Sequence, residues 1–357
     1  MQNEKTVRRK KTGQQNAARR RKKKQNRKRI MIAAAAAVVV VCGAGIAAVY
    51  TSHTAHAYAA EYESHYNSSL YQGTLFADDL CVATGDVALE GFAGDSSLHA
   101  AGLFDISQKS VLYADRLFEK LYPASTTKIL TAYVAMKYGN MDDIVTVGPS
   151  AVNLEADASV CGLQEGDQIS MYDLMCGLLL YSGNDSAIAI AEHVSGTEEA
   201  FVDLMNEEAL ALGATGTHFT NSHGLHEEDH YTTAYDLYLM FQACIENPTF
   251  VEILSKDSHT ATITGADGTV RTEEWYPTNY YSAGMAEVPD GVRVLGGKTG
   301  TTDEAGSCVI LYDQDMASNP YISIIMGASD KTLLYDDMSA LLSAGIAGGS
   351  SNDGQMN

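Results

Sequence analysis

Apolar residues recur at two different spacings along residues 78–347, and the spacing changes between the middle of that stretch and its ends. Helical spacing marks the middle, whereas short alternating or continuous apolar runs mark both ends. The runs at 101–106 and 111–113, separated by a polar turn, predict a hairpin. Strands at both ends with helices between them predict an α+β domain whose terminal segments share one sheet.

The individual elements follow from the same spacings. Helical periodicity predicts helices at 128–138, 171–180, 186–194, 197–212 and 233–247. The final third predicts strands at 292–298, 306–312 and 321–328, and a closing helix at 335–347.

A different pattern precedes this domain. Residues 30–50 form a run of 21 residues without a charge. As a helix this run is long enough to cross a hydrocarbon core of about 30 Å, so it predicts a single N-terminal transmembrane helix. Residues 51–77, rich in Ser, His, Tyr and Ala, predict a linker, and residues 348–357 predict a disordered tail.

Charge is divided unevenly around the apolar run. Residues 1–30 hold 14 of the 24 Lys and Arg residues and one acid, which leaves 10 basic and 44 acidic residues and a net charge of −34 for the remainder. Because cationic residues flanking a membrane helix stay inside the cell, residues 1–29 are predicted to be a cytoplasmic tail and the domain to be extracytoplasmic. The expected location is the cell membrane, with one spanning helix.

Two other interpretations of the N-terminus stay open. The first is a secretory signal that is cleaved near Ala57, since Ala55-His56-Ala57 has the small residues of a cleavage site. The second is a basic arm that binds nucleic acid. The spanning length of residues 30–50 favours the membrane anchor, so the cytoplasmic membrane is an expected partner and nucleic acid is not.

Cysteine usage says little about function. Five cysteines lie outside the apolar run, which is an odd number, and none has the CxxC spacing. This count argues against a dense disulfide framework and favours small buried thiols, although one bridge is compatible with an exported domain.

Three short motifs indicate the chemistry. Residues 125–128 read Ser-Thr-Thr-Lys, residues 182–184 read Ser-Gly-Asn and residues 298–300 read Lys-Thr-Gly. Each motif alone is weak, since Lys-Thr-Gly also stands at 11–13 and Ser-Ser-Asn at 350–352. The context separates the first set: a serine that opens a helix, a serine that ends an apolar run and a lysine in a strand-like segment.

The first motif contains a nucleophile and a base. A serine hydroxyl needs a base to take its proton, and Lys128, three residues after Ser125, lies on the same face of a helix. A lysine acts as a base when burial or another cation lowers its pKa, and Lys298 is a candidate for that cation. The backbone N–H of Ser125 is free to stabilise an oxyanion, and Thr301 is expected to supply the second donor.

With these residues the chain resembles the serine-type D-alanyl-D-alanine carboxypeptidases, which are low-molecular-mass penicillin-binding proteins of the β-lactamase/transpeptidase-like superfamily. This resemblance implies a catalytic domain at 78–347 made of an antiparallel sheet and a helical cluster. The matching stretches are 122–132, 177–187, 221–225 with 230–234, and 297–302 continuing through 305–306.

The resemblance also implies an acyl-enzyme route without a cofactor or a metal. Ser125 would attack the terminal D-Ala-D-Ala bond of a peptidoglycan stem peptide with Lys128 as the base. Ser182 would relay a proton to the leaving amine, and water would then release the shortened peptide. Covalent inhibition by β-lactam antibiotics follows from the same likeness.

The remaining site residues would bind the substrate. By the same resemblance, Asn184 would hold the base and the substrate backbone. Lys298 and Thr299 would meet the terminal carboxylate, an anion suited to a cation and a hydroxyl. Gly300 and Thr301 complete this substrate-binding strand.

The chain departs from the family pattern in two places. The usual Asn-Pro-x-Gly-Leu loop reads Asn-Ser-His-Gly-Leu at 221–225, so a serine stands where the family pattern has a proline. Many relatives have a β-rich C-terminal domain with a membrane-binding helix, whereas here an N-terminal helix is expected to provide the anchor.

Three other kinds of protein share part of this sequence pattern. A class A β-lactamase has the same three motifs but needs a Glu for deacylation, and residues 213–225 contain none. A β-lactam sensor would carry a larger signalling part. A zinc-dependent D,D-carboxypeptidase is a further alternative, because His223, His226 and His230 have spacings compatible with a metal site.

Overall fold

The computed structural model describes residues 21–29, 31, 77–155 and 158–347. The chain divides into two units at residues 76 and 77, and the fold below is that of the second unit. In the described part of the chain, no helix combines the length and the apolar character that a membrane crossing requires. The predicted cleavage point, the tail at 348–357 and almost all of the predicted spanning run and linker lie outside the described residues.

Two antiparallel sheets and a helical cluster build this unit, which confirms the predicted α+β class. The strands are β1 (Ala100–Asp105), β2 (Ser110–Asp115), β3 (Ile144–Thr146), β4 (Gln168–Ser170), β5 (His259–Thr264), β6 (Val270–Trp275), β7 (Val292–Thr302), β8 (Gly306–Asp315) and β9 (Pro320–Ala328). The α-helices are α1 (Lys128–Tyr138), α2 (Met171–Cys176), α3 (Asn184–Ser195), α4 (Glu198–Ala211), α5 (Ala234–Ile245), α6 (Pro248–Leu254) and α7 (Lys331–Leu342).

The larger sheet joins the two ends of the unit. Its strand order is β2-β1-β9-β8-β7, and β1 pairs with β9 from Ala100 opposite Met326 to Asp105 opposite Tyr321. All six residues of β1 are buried, because both faces of the sheet are covered: Ala100 and Phe104 pack into the core on one face, and Ala101 and Leu103 into the core on the other. The prediction that the terminal segments share one sheet is therefore confirmed, and β7 is left as an edge strand.

The smaller sheet, of order β3-β4-β5-β6, was not predicted. Strands β3 and β4 have three residues each, which is too short for an alternating pattern to be visible. The β5-β6 hairpin did carry a signal, since Asp267-Gly268 lies in its turn and Gly268 has a φ of +84°. That dipeptide between two alternating runs would have located the hairpin.

The predicted helices are present, and three of them differ at their ends. The closing helix predicted at 335–347 begins earlier, at Lys331, because the Asp330 side chain caps it, and its α-helical part ends at Leu342. The segment predicted at 233–247 ends as a helix at Ile245, because the Asn247 side chain caps a new helix that begins at Pro248. The segment predicted at 171–180 continues as a wider π turn, Gly177–Tyr181, that leads into the second motif.

All five cysteines of the described residues are buried and free, as the interpretation of small thiols predicts. The helical cluster packs on one face of the larger sheet, and α7 with the turn Ser343–Ala347 packs on the other. The edge strand β7 lies beside the short 3-10 turn Ala124–Thr127, which holds the first motif.

Candidate active site

The first motif forms a tight turn that presents a serine. Pro123 precedes the 3-10 turn, and the hydroxyls of Thr126 and Thr127 donate to the carbonyl oxygens of Pro123 (2.7 Å) and Ala124 (2.8 Å). Ala124 has a φ of +46°, in the left-handed region that alanine rarely occupies. Ser125 is half-buried while the other residues of the turn are buried, so it is the residue that the turn exposes.

Lys128 lies directly behind this serine. Its side chain is fully buried, and Nζ lies 3.0 Å from Ser125 Oγ. The same amine also donates to Asn184 Oδ1 (2.7 Å) and to the backbone carbonyl oxygen of His223 (2.6 Å). Burial, and next the charge of Lys298, lower the pKa of Lys128 well below its usual value. Lys298 therefore lowers the pKa of Lys128, as expected from the sequence.

The second motif lies in a sharp turn between the π turn and α3. Ser182 has a φ of +69°, and Asn184 is the first residue of α3. A Cβ atom at Gly183 would lie 2.4 Å from the Sγ atom of Cys161, so the motif packs too closely for any other residue here. This turn carries the hydroxyl of Ser182 and the amide of Asn184 to the same site.

Lys298 connects the third motif to the second. Its buried Nζ donates to Ser182 Oγ (2.7 Å) and to the carbonyl oxygen of Thr299 (2.9 Å). Burial lowers the pKa of Lys298 to about 7. The hydroxyl of Thr299 is 2.6 Å from that of Thr278, which belongs to the loop before β7.

Gly300 allows the edge strand to approach the turn that holds Ser125. A Cβ atom at this position would lie 2.8 Å from the carbonyl oxygen of Pro123 and 2.9 Å from the backbone nitrogen of Ser125. Thr301, the next residue of β7, is exposed. The arrangement can hold an extended substrate along the edge strand, with its scissile carbonyl beside Ser125.

Asp185 had no role in the sequence-based prediction of the site. The buried carboxylate of Asp185 accepts hydrogen bonds from the backbone nitrogens of Cys161 (2.8 Å) and Leu163 (3.1 Å) and so ties that loop to the second motif. The sequence did contain a sign of this residue, because an acidic side chain directly after Asn184 lies in the first turn of α3, where a negative charge is stabilised.

The three histidines of the zinc alternative face different partners. His223 Nδ1 accepts from the backbone nitrogen of Leu225 (3.2 Å), and the ring of His226 packs edge-on against Tyr122. Both ring nitrogens of His230 have protein partners. Burial lowers the pKa of His223 and of His230 to about 3. No cluster of three or more His, Cys, Asp or Glu side chains suited to a metal occurs in the described residues, so the zinc alternative is not favoured.

Comparison with known proteins places this geometry in a family. The sequence profile of the family described as D-alanyl-D-alanine carboxypeptidase, Peptidase S11, matches residues 94–330. The D-alanyl-D-alanine carboxypeptidase DacC of Escherichia coli K12 is 33% identical over 253 residues, which are 68% of this chain and 60% of DacC. The chain thus spans about three fifths of the length of such curated relatives.

Solved structures show the same fold. The crystal structure of the Streptomyces K15 DD-transpeptidase matches with a TM-score of 0.65 and 25% identity, covering 71% of this chain and 99% of that one. A D-alanyl-D-alanine carboxypeptidase from Mycobacterium tuberculosis H37Rv matches with a TM-score of 0.64 and 27% identity, covering 73% and 96%. The penicillin-binding, transpeptidase-like architecture that the motifs implied is therefore confirmed, and the β-lactamase alternative is not favoured.

Proposed function

The chain belongs to the D-alanyl-D-alanine carboxypeptidase family, and we propose that it removes the terminal D-alanine from peptidoglycan stem pentapeptides through an acyl-enzyme on Ser125. One observation carries this proposal. The Nζ atom of Lys128, fully buried and with a lowered pKa, lies 3.0 Å from the Oγ atom of Ser125. A buried amine at this distance is suited to act as a general base toward the hydroxyl.

The contacts of Lys128 orient its lone pair. A neutral amine has two hydrogens and one lone pair, and two neighbours of Nζ, Asn184 Oδ1 and the His223 carbonyl oxygen, act as acceptors. The two hydrogens are directed to these oxygens, and the lone pair is left for the hydroxyl of Ser125. The serine then donates its proton to Lys128 while Oγ forms a bond to the carbonyl carbon of the substrate.

Backbone donors stabilise the negative charge that develops on the carbonyl oxygen. We assign this role to the N–H of Ser125 and, as the second donor, to Thr301. Gly300 supports this assignment, because its missing side chain leaves the edge strand close to the nitrogen of Ser125. Removing one such donor from a serine enzyme typically lowers kcat by about 100- to 1000-fold.

The substrate carboxylate is bound by the third motif. Lys298 supplies the positive charge and Thr299 a hydroxyl, and Gly300 and Thr301 extend the strand against which the peptide lies. The contact between the hydroxyls of Thr278 and Thr299 fixes the position of the latter. A bound carboxylate favours the charged form of Lys298, and its pKa of about 7 lets it change charge near neutral pH.

The proton taken from Ser125 completes the reaction. As the peptide C–N bond breaks, the proton passes from Lys128 through Ser182 to the amine of the departing D-alanine. Water then attacks the ester with Lys128 again as the base, which releases the shortened stem peptide and restores the serine. β-Lactams enter the same route, because their strained amide carbonyl acylates Ser125.

The experiment that tests this proposal combines mass spectrometry with product analysis. After incubation with benzylpenicillin, a penicilloyl adduct is expected on Ser125 and not in the Ser125→Ala variant. A drug-free sample is expected to release D-alanine from an acyl-D-Ala-D-Ala peptide. If no adduct forms and a chelator abolishes the release, the serine mechanism is wrong.

For the location, we propose a single-pass protein of the cell membrane with its catalytic unit outside the cytoplasm. The uncharged run at 30–50 and the basic cluster before it support this proposal. Mass spectrometry of the mature amino terminus tests it. A chain that begins at residue 58 in the culture medium would instead support the cleaved signal near Ala57.

A further inference from the structure

A buried histidine contacts the nucleophile turn through Thr127. The His230 side chain is 1% exposed, and its Nε2 atom lies 2.8 Å from Thr127 Oγ1. Thr127 lies between the nucleophile Ser125 and the base Lys128, and it is itself fully buried. The two residues are 103 positions apart in the chain, so the contact joins the loop before α5 to the catalytic turn.

The direction of each hydrogen bond here is determined. The backbone N–H of Thr220 can only donate, and it lies 3.0 Å from His230 Nδ1, so this nitrogen accepts. The ring is neutral because burial lowers its pKa to about 3, and its one hydrogen is therefore on Nε2. Nε2 donates to Thr127 Oγ1, whose own hydrogen goes to the carbonyl oxygen of Ala124 at 2.8 Å.

This chain of hydrogen bonds ends on the residue with the unusual backbone. Ala124, directly before the nucleophile, has a φ of +46°. Its carbonyl oxygen is also enclosed by the loop at 221–225, since a Cβ atom at Gly224 would lie 1.9 Å from it. The Ala124 carbonyl is thus held from two sides, and its conformation sets the direction of the next N–H group, that of Ser125.

We propose that His230 is a positioning residue for acylation: its neutral imidazole directs the Thr127 hydroxyl onto the Ala124 carbonyl and so keeps the hydroxyl and the N–H of Ser125 in their reactive arrangement. The inference rests on the proposed function of Ser125 as the nucleophile. It assigns to His230 no contact with the substrate. Its effect is expected on the rate of acylation more than on the binding of the substrate, because a misplaced reacting group lowers the rate of the chemical step.

Two substitutions test the donor nitrogen of the His230 ring, Nε2, separately from its acceptor nitrogen, Nδ1. His230→Gln keeps an N–H near the position of Nε2, whereas His230→Asn keeps an acceptor near the position of Nδ1 and loses the donor to Thr127. We expect His230→Asn to lower the acylation rate constant with benzylpenicillin by about 10- to 100-fold. His230→Gln is expected to retain most of the rate, with a thermal midpoint similar to that of His230→Asn.

A double-mutant cycle tests whether His230 acts through Thr127. Thr127→Val removes the hydroxyl at nearly constant volume, and its loss of rate is expected to equal that of His230→Asn, with no further loss in the double variant. Phe219→Leu is the matched control. The ring of Phe219 packs 5.1 Å from that of His230 but takes no part in the hydrogen bonds, so its loss of stability should leave the acylation rate unchanged.

A second measurement is independent of activity. Hydrogen exchange of the peptide that contains Ser125, in the unacylated full-length chain, should be faster in His230→Asn and unchanged in His230→Gln. Equal acylation rates and equal exchange in these two variants would overturn the inference. If the unsubstituted protein forms no penicilloyl adduct, the proposed function fails, and the exchange comparison alone decides the role of His230.

Discussion

Asp313 is expected to weaken the fold at neutral pH. It lies on β8 with 0% exposure, and the hydroxyl of Ser323 donates to its Oδ2 atom at 2.6 Å. The other carboxyl oxygen, Oδ1, has no partner among the described residues. Burial raises the pKa of Asp313 from its usual 3.8 to about 8, so the folded protein keeps this carboxyl protonated at pH 7.

The raised pKa of Asp313 determines the sign and the size of the change in the free energy of unfolding with pH. Below pH 3.8 the carboxyl is protonated in both the folded and the unfolded protein, so it does not lower the free energy of unfolding. As the pH rises from there to about 8, only the unfolded carboxyl ionises, and the free energy of unfolding falls by ~1.4 kcal/mol per pH unit. At pH 7 the loss amounts to about 4 kcal/mol, and it levels off above pH 8.

Asp313→Asn removes this loss, because an amide of the same shape cannot ionise. We expect the variant to be more stable than the original protein by about 4 kcal/mol at pH 7 and by less than half of that at pH 5. Urea unfolding at both pH values, on the purified protein, measures the difference. Exposed Asp257→Asn is the control and should stay within about 0.5 kcal/mol. A stability gain that is the same at pH 5 and pH 7, or a loss at pH 7, would refute the reasoning.

Two further predictions concern the site. Lys298→Gln removes the positive charge beside Lys128, so the pKa of Lys128 is expected to rise. The acid limb of the pH profile for penicillin acylation should then move to higher pH. An unchanged acid limb would contradict the effect of Lys298 on the pKa of Lys128. Gly183→Ala places a Cβ atom 2.4 Å from Cys161 Sγ and is expected to cost about 1–3 kcal/mol in thermal unfolding. Adding Cys161→Ala should recover part of that loss, since Asp185 Oδ1 at 2.7 Å remains in the way.

Local patterns were sufficient to locate most elements of the larger sheet and the helical cluster. The strands β7, β8 and β9 are continuous apolar or alternating runs of 9 to 11 residues, which are long enough for their periods to be read. The three-residue strands β3 and β4 are too short for this, and the sheet that they form with the β5-β6 hairpin was missed. The length of a strand therefore determined whether the spacing of its apolar residues could be recognised in the sequence.

Part of the candidate site could be predicted from the sequence, and part could not. The motifs named the side chains that meet around Ser125, because the residue types proposed as nucleophile, base and carboxylate-binding groups are chemically distinctive. Sequence alone did not indicate that the backbone carbonyl of His223 accepts from Lys128, since a carbonyl oxygen has no residue signature. The contact between Thr127 and His230 joins positions 103 apart and depends on the fold as a whole. Histidine at 230 was instead weighed as a metal ligand.

The pairing of β1 with β9 has a consequence for the order of assembly. The first strand of the unit lies between β2 and the last strand, so a chain made from its amino end leaves one edge of β1 without a partner until residues 320–328 have been synthesised. Pairing over so long a separation closes slowly. Ser125 and Lys128 are present early, but Lys298 reaches them only with the sheet. The proposed carboxylate-binding strand β7 therefore takes its place beside Ser125 only after the two strands that follow it in sequence, β8 and β9, have been synthesised and paired.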